Sequence, residues 1–180
     1  MKIFSFLLLL GFAPNSFSQD SFNNAIHLTE LPPEGVLLNK GWKFQAGDNP
    51  EWAMPDYDDK GWTPVNPALE LHNLPEVREA EIGWFRLELK VDSLLASKSL
   101  AILVSTIGAS EIYLNGKLIY RFGIVSATYK EEQTRFFFDR PFSLKLDYPS
   151  SNVIAVRYSF NKKNLYLRFT NARPSTSFFN

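Results

Sequence analysis

The sequence predicts an all-β protein, an antiparallel β-sandwich or jelly roll of about eight or nine strands. Two observations support this prediction. Phe alone occurs sixteen times in the 180 residues and aromatic residues make up 15% of them, a composition that favours strands over helices. Short apolar runs are separated by connections rich in Pro, Gly and Asp, and no run shows a sustained helical period with caps.

The N-terminus is predicted to be a signal peptide covering residues 1–18. Lys2 precedes the apolar run 3–13, and small residues follow at the −3 and −1 positions of a cleavage site between Ser18 and Gln19. An apolar run of this length is too short to cross a bilayer. We therefore expect export to the periplasm or surface of a bacterium, and no membrane span in the mature chain.

Charge and cysteine content exclude several classes of function. Lys plus Arg and Asp plus Glu number nineteen each, so the chain lacks the excess of positive charge that is typical of nucleic-acid-binding proteins. The absence of cysteine excludes a disulfide framework, a cysteine-ligated metal and a thiol nucleophile. An exported domain without disulfides suits a bacterial envelope better than a eukaryotic secretory pathway.

The remaining chain divides into three predicted parts. Residues 19–35 are polar and contain two prolines, which predicts an extended lead-in. Residues 36–170 carry the β pattern and are predicted to be the jelly-roll domain. Residues 171–180 are predicted to be a polar tail.

Alternation and turn signals define the strands within that domain. In "EIGWFRLELKVDS" apolar and charged residues occupy opposite faces of a strand. The nearly continuous apolar run "LAILVS" predicts a strand covered on both sides. "SEIYLNGKLIYRFG" predicts a hairpin, because Asn115 and Gly116 tolerate the positive φ of a type I′ turn; Ile112, Leu114, Leu118 and Tyr120 are expected on its inner face. Three further strands are predicted at 140–146, 152–159 and 165–169.

No catalytic set is recognisable. His27 and His72 stand alone in predicted loops, outside any metal-binding spacing, and are expected at the surface. The chain contains neither a Gly-x-Ser-x-Gly elbow nor a phosphate-binding glycine loop. No pair of carboxylates stands out as the two acids of a glycosidase. The protein is therefore not expected to be an autonomous enzyme.

The acidic stretch "DYDDKG" matches part of a calcium loop. Asp56, Asp58 and Gly61 fit the pattern, but Lys60 takes the fifth position and Pro67 the twelfth, where a bidentate Glu belongs. A cation among the ligands opposes the metal, so an EF-hand loop is excluded. No cofactor is predicted, although a structural calcium ion held by backbone carbonyls remains an alternative.

Aromatic side chains beside polar ones are the candidates for binding a small ligand. Flat rings match the C–H faces of a sugar, and neighbouring polar groups bond its hydroxyls. The candidate ligand-binding residues are Trp52, Tyr57, Asp58 and Arg86. The alternative for such rings is core packing, which we expect for Trp42, Trp62 and Trp84. A site would lie where the loop carrying Trp52 meets the loop 124–135.

Three motifs in order resemble a known domain. "GWKFQAGDNPEWAMPDYDDKGWTPV", "GWFRLELKV" and "EIYLNGKLIYRFG" are similar to the galactose-binding-domain-like jelly roll at the N-terminus of β-galactosidase and β-glucuronidase type glycoside hydrolases. The resemblance implies a jelly-roll fold and structural roles for matching residues. These residues are Trp42, Asp59, Trp62, Trp84, Asn115 and Gly116.

The segments "IGASEIYLNGKLIYRFG" and "VIAVRYSF" more closely resemble extracytoplasmic sensor domains of Bacteroidetes-type signalling proteins. This resemblance implies a non-catalytic sensor module that binds a carbohydrate or another small polar ligand and associates with a membrane signalling protein. The first resemblance implies instead a non-catalytic domain of a glycoside hydrolase, separated from its catalytic barrel. A pure protein-interaction domain is the third interpretation. The sequence favours the sensor.

Overall fold

The computed structural model describes residues 25–68, 74–104, 106–137 and 141–161, and these build a β-sandwich from one large and one small sheet. Two short helices, α1 (Pro75–Arg78) and α2 (Ser93–Ala96), and a 3-10 turn at Pro50–Ala53 interrupt the strands. The predicted all-β class is confirmed. The strands of the described residues are β1 (Ile26–Leu28), β2 (Trp42–Ala46), β3 (Thr63–Val65), β4 (Ile82–Val91), β5 (Leu100–Ile102), β6 (Thr106–Leu114), β7 (Lys117–Phe122), β8 (Arg135–Phe137), β9 (Phe142–Leu144) and β10 (Asn152–Ser159).

The large sheet has the order β3-β2-β4-β10-β6-β7, with β1 beside β4 and β8 beside β6. Strands β5 and β9 form the small sheet. The described pairs are antiparallel except for β1 with β4, which is parallel. One row of the large sheet runs through Trp42, Leu87, Ile154 and Leu114.

The main core lies between the two sheets. Alternation along β4 directs Phe85, Leu87 and Leu89 to this side of the large sheet, called here the inner face. Tyr120 from the large sheet stacks on Phe142 of the small sheet, with ring centroids 4.6 Å apart and an interplanar angle of 13°. The opposite side of the large sheet, the outer face, carries the second aromatic cluster and the candidate site.

Gly83 lies on the inner face of β4, where a larger residue does not fit. A Cβ at this position would be 2.3 Å from Cε2 of Phe44. We expect Gly83→Ala to lower the free energy of unfolding by about 1–3 kcal/mol, because overpacking forces the ring or the backbone to shift. Urea denaturation followed by tryptophan fluorescence measures the effect.

Gly61→Ala is the matched control for this substitution. A Cβ at Gly61 meets no atom within 4 Å, so its effect is expected to stay within about 0.5 kcal/mol. Equal losses in the two variants would contradict the close packing of Gly83 against the ring.

The predicted lead-in contributes to the sheet. Within residues 19–35, Ile26–Leu28 form β1 and pair in parallel with Leu89–Val91 at the end of β4. Nε2 of His27 lies 2.8 Å from Oδ1 of Asp92, and both side chains are exposed. His27 therefore lies at the surface as expected, but on a strand.

The hairpin between β6 and β7 turns at the two predicted residues. Asn115 has φ 49° and Gly116 has φ 80°, both in the left-handed region that this turn requires. The side-chain oxygen of Asn115 accepts a hydrogen bond from the amide of Val153 at 2.8 Å, and its nitrogen donates to Asp147 at 3.0 Å. Asn115 thus ties the turn to the beginning of β10.

A β-bulge in this hairpin overturns part of the predicted side-chain pattern. Ile112 pairs with Tyr120, but Tyr113 pairs with Leu118, so one extra residue, Ile119, enters β7. Such a shift moves the following side chain to the other face. The expectation that Leu118 lies on the inner face is wrong: it is exposed beside Tyr113, and Ile119 packs against the core.

The expectation that "LAILVS" is covered on both sides is also wrong. This run contains β5, but β5 belongs to the small sheet, and only one of its faces is directed at the core. Ala101 is exposed, and Leu103, just after the strand, is 54% exposed. A continuous apolar run does not distinguish a central strand from one in a thin outer layer.

Several predictions fall outside the described residues. These are the signal peptide at 1–18, the surface position of His72, the strand at 165–169 and the tail at 171–180. Of the helices that the structure describes, none has the length and apolar character needed to cross a membrane.

Candidate functional site

Residues 47–62, called here the arm, cross the outer face of the large sheet. The arm begins at Gly47, whose φ of 118° suits glycine and whose amide donates to the carbonyl of Ile82 at 2.9 Å. The 3-10 turn follows, and the side chain of Asn49 caps it by accepting from the amide of Glu51 at 3.0 Å. The next residues reach the hairpin, where a Cβ at Gly116 would be 2.8 Å from Sδ of Met54.

An aromatic cluster holds the arm against the sheet. Trp84 is 0% exposed and Trp62 is 6% exposed, and both pack with Ala53 and Ala155. The Trp52 ring stands edge-on to Trp62 and to Trp84, with centroids 5.2 and 6.3 Å apart. Tyr57 and Tyr113 complete the cluster at its border. The burial of Trp62 and Trp84, like that of Trp42 in the main core, agrees with core packing.

Arg86 lies beneath the arm and is 2% exposed. Its Nη1 donates to the carbonyls of Trp52 and Met54, the latter at 2.9 Å, and its Nη2 donates to the carbonyl of Tyr57 at 3.4 Å. Its Nε donates to Oδ2 of Asp59 at 2.9 Å. The guanidinium carbon also lies 5.7 Å from the centre of the Tyr57 ring. Arg86 therefore braces the arm from inside.

Asp59 joins this brace to β2. Its Oδ1 accepts a hydrogen bond from Nζ of Lys43 at 2.6 Å, and Oδ2 accepts from Arg86. Burial alone would raise the pKa of Asp59, but hydrogen bonds and charge from the two cations outweigh burial and hold the pKa below its usual range. The carboxylate is thus stabilised in its ionised form.

The lowered pKa of Asp59 makes stability depend on acid pH. In the unfolded chain this pKa is about 3.9, so ionised Asp59 stabilises the fold above about pH 4, and the contribution is lost as pH falls through the lower folded pKa. We expect Asp59→Asn to be less stable than the wild type at neutral pH, by a difference that shrinks below about pH 4. Urea denaturation over a pH series measures it.

Asp58→Asn is the control for this series. The Asp58 carboxylate is exposed, and its Oδ2 lies 3.7 Å from Nζ of Lys60. This variant is expected to remain close to the wild type in stability throughout. A constant difference between Asp59→Asn and the wild type at all pH values would contradict the lowered pKa.

The structure brings three of the four candidate ligand residues onto the arm, but in different environments. Trp52 and Tyr57 are half-buried in the aromatic cluster, and Asp58 is exposed at a turn. Arg86 lies under them, and its bonds run to the arm itself. Ligand binding by these four residues stays a prediction.

The loop 124–135 covers another part of the outer face. Val125 packs on Ile82 near the beginning of β4. Glu132 is buried, and its Oε1 accepts a hydrogen bond from the hydroxyl of Ser159 at 3.1 Å. This loop is thus fixed to the end of β10, whereas the arm packs farther along β4.

A chain of ion pairs on the outer face was not predicted from the sequence. Arg157 of β10 donates to both carboxylate oxygens of Asp48, from Nε at 2.7 Å and from Nη2 at 2.6 Å. Its Nη1 donates to Oε2 of Glu111 at 3.2 Å, and Glu111 also binds Nε of Arg121 at 3.1 Å. The sequence contained one sign of these pairs. A single charged residue stands within an otherwise apolar strand, as Arg157 does in "NVIAVRYS".

These contacts shift the pKa values of Asp48 and Tyr113. The hydrogen bond from Arg157 lowers the pKa of Asp48, and the charge of Arg157 and a bond from the Trp84 indole add to this against the effect of burial. Burial raises the pKa of Tyr113 to about 12, helped by its hydrogen bond to Glu111. At neutral pH, Asp48 is a carboxylate and the Tyr113 hydroxyl keeps its proton.

Among the residues that the structure describes, no group of three or more His, Asp or Glu side chains is arranged to hold a metal ion. A calcium site formed mainly by backbone carbonyls, which the sequence left open, stays an untested alternative.

The molecule is a β-sandwich in which an acidic, aromatic arm is clamped across one sheet. No protein-family model matches the chain, and no curated protein does. Among solved structures, a Bacteroides uniformis β-glucuronidase has a TM-score of 0.50 at 20% identity, covering 79% of this chain and 15% of that chain. Bacteroides uniformis β-glucuronidase 2, covalently bound to cyclophellitol-6-carboxylate aziridine, has a TM-score of 0.50 at 21% identity, covering 68% and 14%.

A β-glucuronidase from glycoside hydrolase family 2 has the same TM-score at 18% identity and covers 67% of this chain and 13% of that chain. The described fold therefore matches a part of each enzyme, and this chain spans 13–15% of their length. The predicted resemblance to the sandwich domain of these hydrolases is confirmed for the fold.

Proposed function

We propose that this chain is a non-catalytic, carbohydrate-associated β-sandwich module of the glycoside hydrolase type. The fold likeness carries the proposal: most of this chain superposes on a small part of enzymes that are named as β-glucuronidases. In such a setting the sandwich is an accessory domain beside a catalytic one. This hypothesis takes precedence over the sensor, because the structural likeness is to hydrolases.

The state of the carboxylates supports a non-catalytic role. A glycosidase uses two carboxyl groups across a cleft, and its general acid has a raised pKa. Here the pKa values of Asp48 and Asp59 are lowered by paired cations. Glu111 is held by two arginines and a tyrosine. Asp48 and Asp59 are therefore held ionised, which is the opposite of what an acid catalyst needs.

Two measurements test the proposal. The coding sequence beyond residue 180 is expected to encode a catalytic barrel of about 250 residues. The purified 180-residue chain is expected to leave p-nitrophenyl β-glucuronide and β-galactoside intact. Hydrolysis of either compound, lost in a carboxylate variant, would contradict the non-catalytic assignment.

A second candidate is an extracytoplasmic sensor module that recognises a carbohydrate or another small polar ligand. The signal-peptide pattern and the likeness of the β6–β7 hairpin region to sensor domains favour it. Apolar spans of about twenty residues encoded beyond residue 180 would support this candidate and its association with a membrane signalling protein. Cell fractionation tests its location: recovery in the periplasmic or surface fraction is expected.

A further inference from the structure

Five residues on the outer face form a compact surface that shares only Trp52 with the predicted ligand site. This outer-face patch consists of Asp48, Trp52, Glu111, Tyr113 and Arg157. The strand register places Arg157 of β10 directly between Trp84 of β4 and Glu111 of β6. Asp48 reaches this row from the beginning of the arm through its two bonds to Arg157.

The polar groups of the patch are fixed in position before any ligand arrives. Asp48 is held by the two bonds from Arg157 and by the Trp84 indole N–H at 3.4 Å. The Glu111 carboxylate accepts from Arg157, and the Tyr113 hydroxyl donates to it at 2.9 Å. A site whose groups are already ordered loses less entropy when it binds.

The aromatic part of the patch covers the buried Trp84. Because Trp84 is wholly buried, the rings that reach the surface above it are those of Trp52 and Tyr113, and each is half-buried. The Tyr113 ring lies 5.3 Å from Trp84 at an interplanar angle of 32°. Trp52 lies close to Gly47, where a Cβ would be 3.1 Å from its Cη2, and this places the ring beside Asp48.

The arrangement stabilises the fold and also leaves polar groups accessible to solvent. A bidentate pair within a network contributes more to stability than an isolated surface pair does. Asp48 is an exposed residue, and its side chain keeps 38% of its surface accessible while aligned with both donors of Arg157. An ordered carboxylate–guanidinium pair at the border of two rings is the combination that fixes a polar ligand on an apolar surface.

We propose that the outer-face patch binds a neutral saccharide. The rings of Trp52 and Tyr113 receive the C–H face of a sugar, and its hydroxyls donate to the carboxylates of Asp48 and Glu111. Arg157 has five N–H groups, of which three are engaged in the bonds described above. The other two are available to donate to sugar oxygens.

Charge favours a neutral sugar over a uronic acid. Asp48 and Glu111 pair with Arg157, and Glu111 also pairs with Arg121, so the charges already balance and no cation among these four described residues is left without a partner for a ligand carboxylate. A neutral hydroxyl both donates to a carboxylate and accepts from a guanidinium, and needs no unpaired cation. The inference deepens the proposed function by naming the ligand class of this module.

Isothermal titration calorimetry of the full chain tests the inference with defined probes. These are β-linked tetrasaccharides of glucose, galactose and mannose, with a tetramer of glucuronic acid as the charged comparison. At least one neutral tetrasaccharide is expected to bind, and Asp48→Asn to weaken it at least tenfold. In a two-dimensional NMR titration the Trp84 indole N–H signal, assigned with Trp84→Phe, is expected to shift, because it donates to Asp48.

Asp56→Asn provides the matched control, since it makes the same change of acid to amide on the same arm at an exposed position. It is expected to bind like the wild type. Circular dichroism and thermal melts establish that every variant is folded.

Four results would overturn the inference. These are binding of the glucuronate tetramer alone, equal weakening by the two variants, an unmoved Trp84 signal, and no binding of any probe by the folded wild type. Concentration-dependent shifts of the patch signals without sugar would identify it as a protein contact instead. The proposed function has a separate test in the downstream coding sequence, so either hypothesis can fail while the other holds.

Discussion

Replacing Arg86 with methionine is expected to lower the free energy of unfolding by about 3–5 kcal/mol. Methionine preserves an unbranched apolar stem in place of the arginine stem, but it removes the guanidinium and with it every hydrogen bond that Arg86 makes to the arm. The carbonyls of Trp52 and Met54 lose their donor, and Asp59 keeps Lys43 alone as a cationic partner. Buried groups deprived of a partner carry their full desolvation penalty. Urea denaturation followed by circular dichroism measures the loss.

Arg121→Met is the matched control. The Arg121 side chain is 62% exposed, and its Nε binds Glu111 at the surface. Its removal is expected to cost less than about 1 kcal/mol. If the two substitutions had similar effects, Arg86 would not be the brace that its bonds indicate.

Trp62→Ala is the second large effect we expect, again about 3–5 kcal/mol. The Trp62 ring fills the space between the arm and β4, and it contacts Trp52 and lies 6.0 Å from Tyr57. Truncation leaves a cavity that the clamped arm cannot close, because Arg86 holds the neighbouring backbone. Loss of stability is expected together with increased mobility of the arm, which hydrogen exchange at its amides can detect.

Leu37→Ala serves as the control for apolar truncation, since Leu37 is exposed. It is expected to change stability by no more than about 0.5 kcal/mol. A Trp62→Ala variant as stable as the wild type would show that the aromatic cluster does not hold the arm.

Local patterns in the sequence predict much of this fold. The alternation in residues 81–93 becomes β4, and the segment 152–159 becomes β10 with the same bounds. Asn115 and Gly116 predict the hairpin because backbone conformation at a tight turn depends on the residues themselves. The order of the aromatic motifs predicts the sandwich, because each motif lies within a short continuous segment of strands and turns.

Features that depend on distant contacts were not predictable. In the alternating pattern of β4, Arg86 is one of several charged residues expected to face outward. It is buried because the arm covers it and accepts its hydrogen bonds. Near the bulge at Ile119, the three consecutive apolar residues 118–120 do not show which side chains face the core. The pairing of Asp48 with Arg157 joins residues 109 positions apart, and no local periodicity encodes it.

The position of β10 bears on when the protein can fold. Strand β10 lies between β4 and β6 in the large sheet and is the last strand of the described residues. A nascent chain that has not yet been synthesised to residue 159 therefore carries two half-sheets with open edges, and its arm lacks the Arg157 anchor. Strands that lie far apart in the sequence, such as β4 and β10, pair slowly. Completion of the sheet is expected to follow synthesis of the domain, rather than accompany it strand by strand.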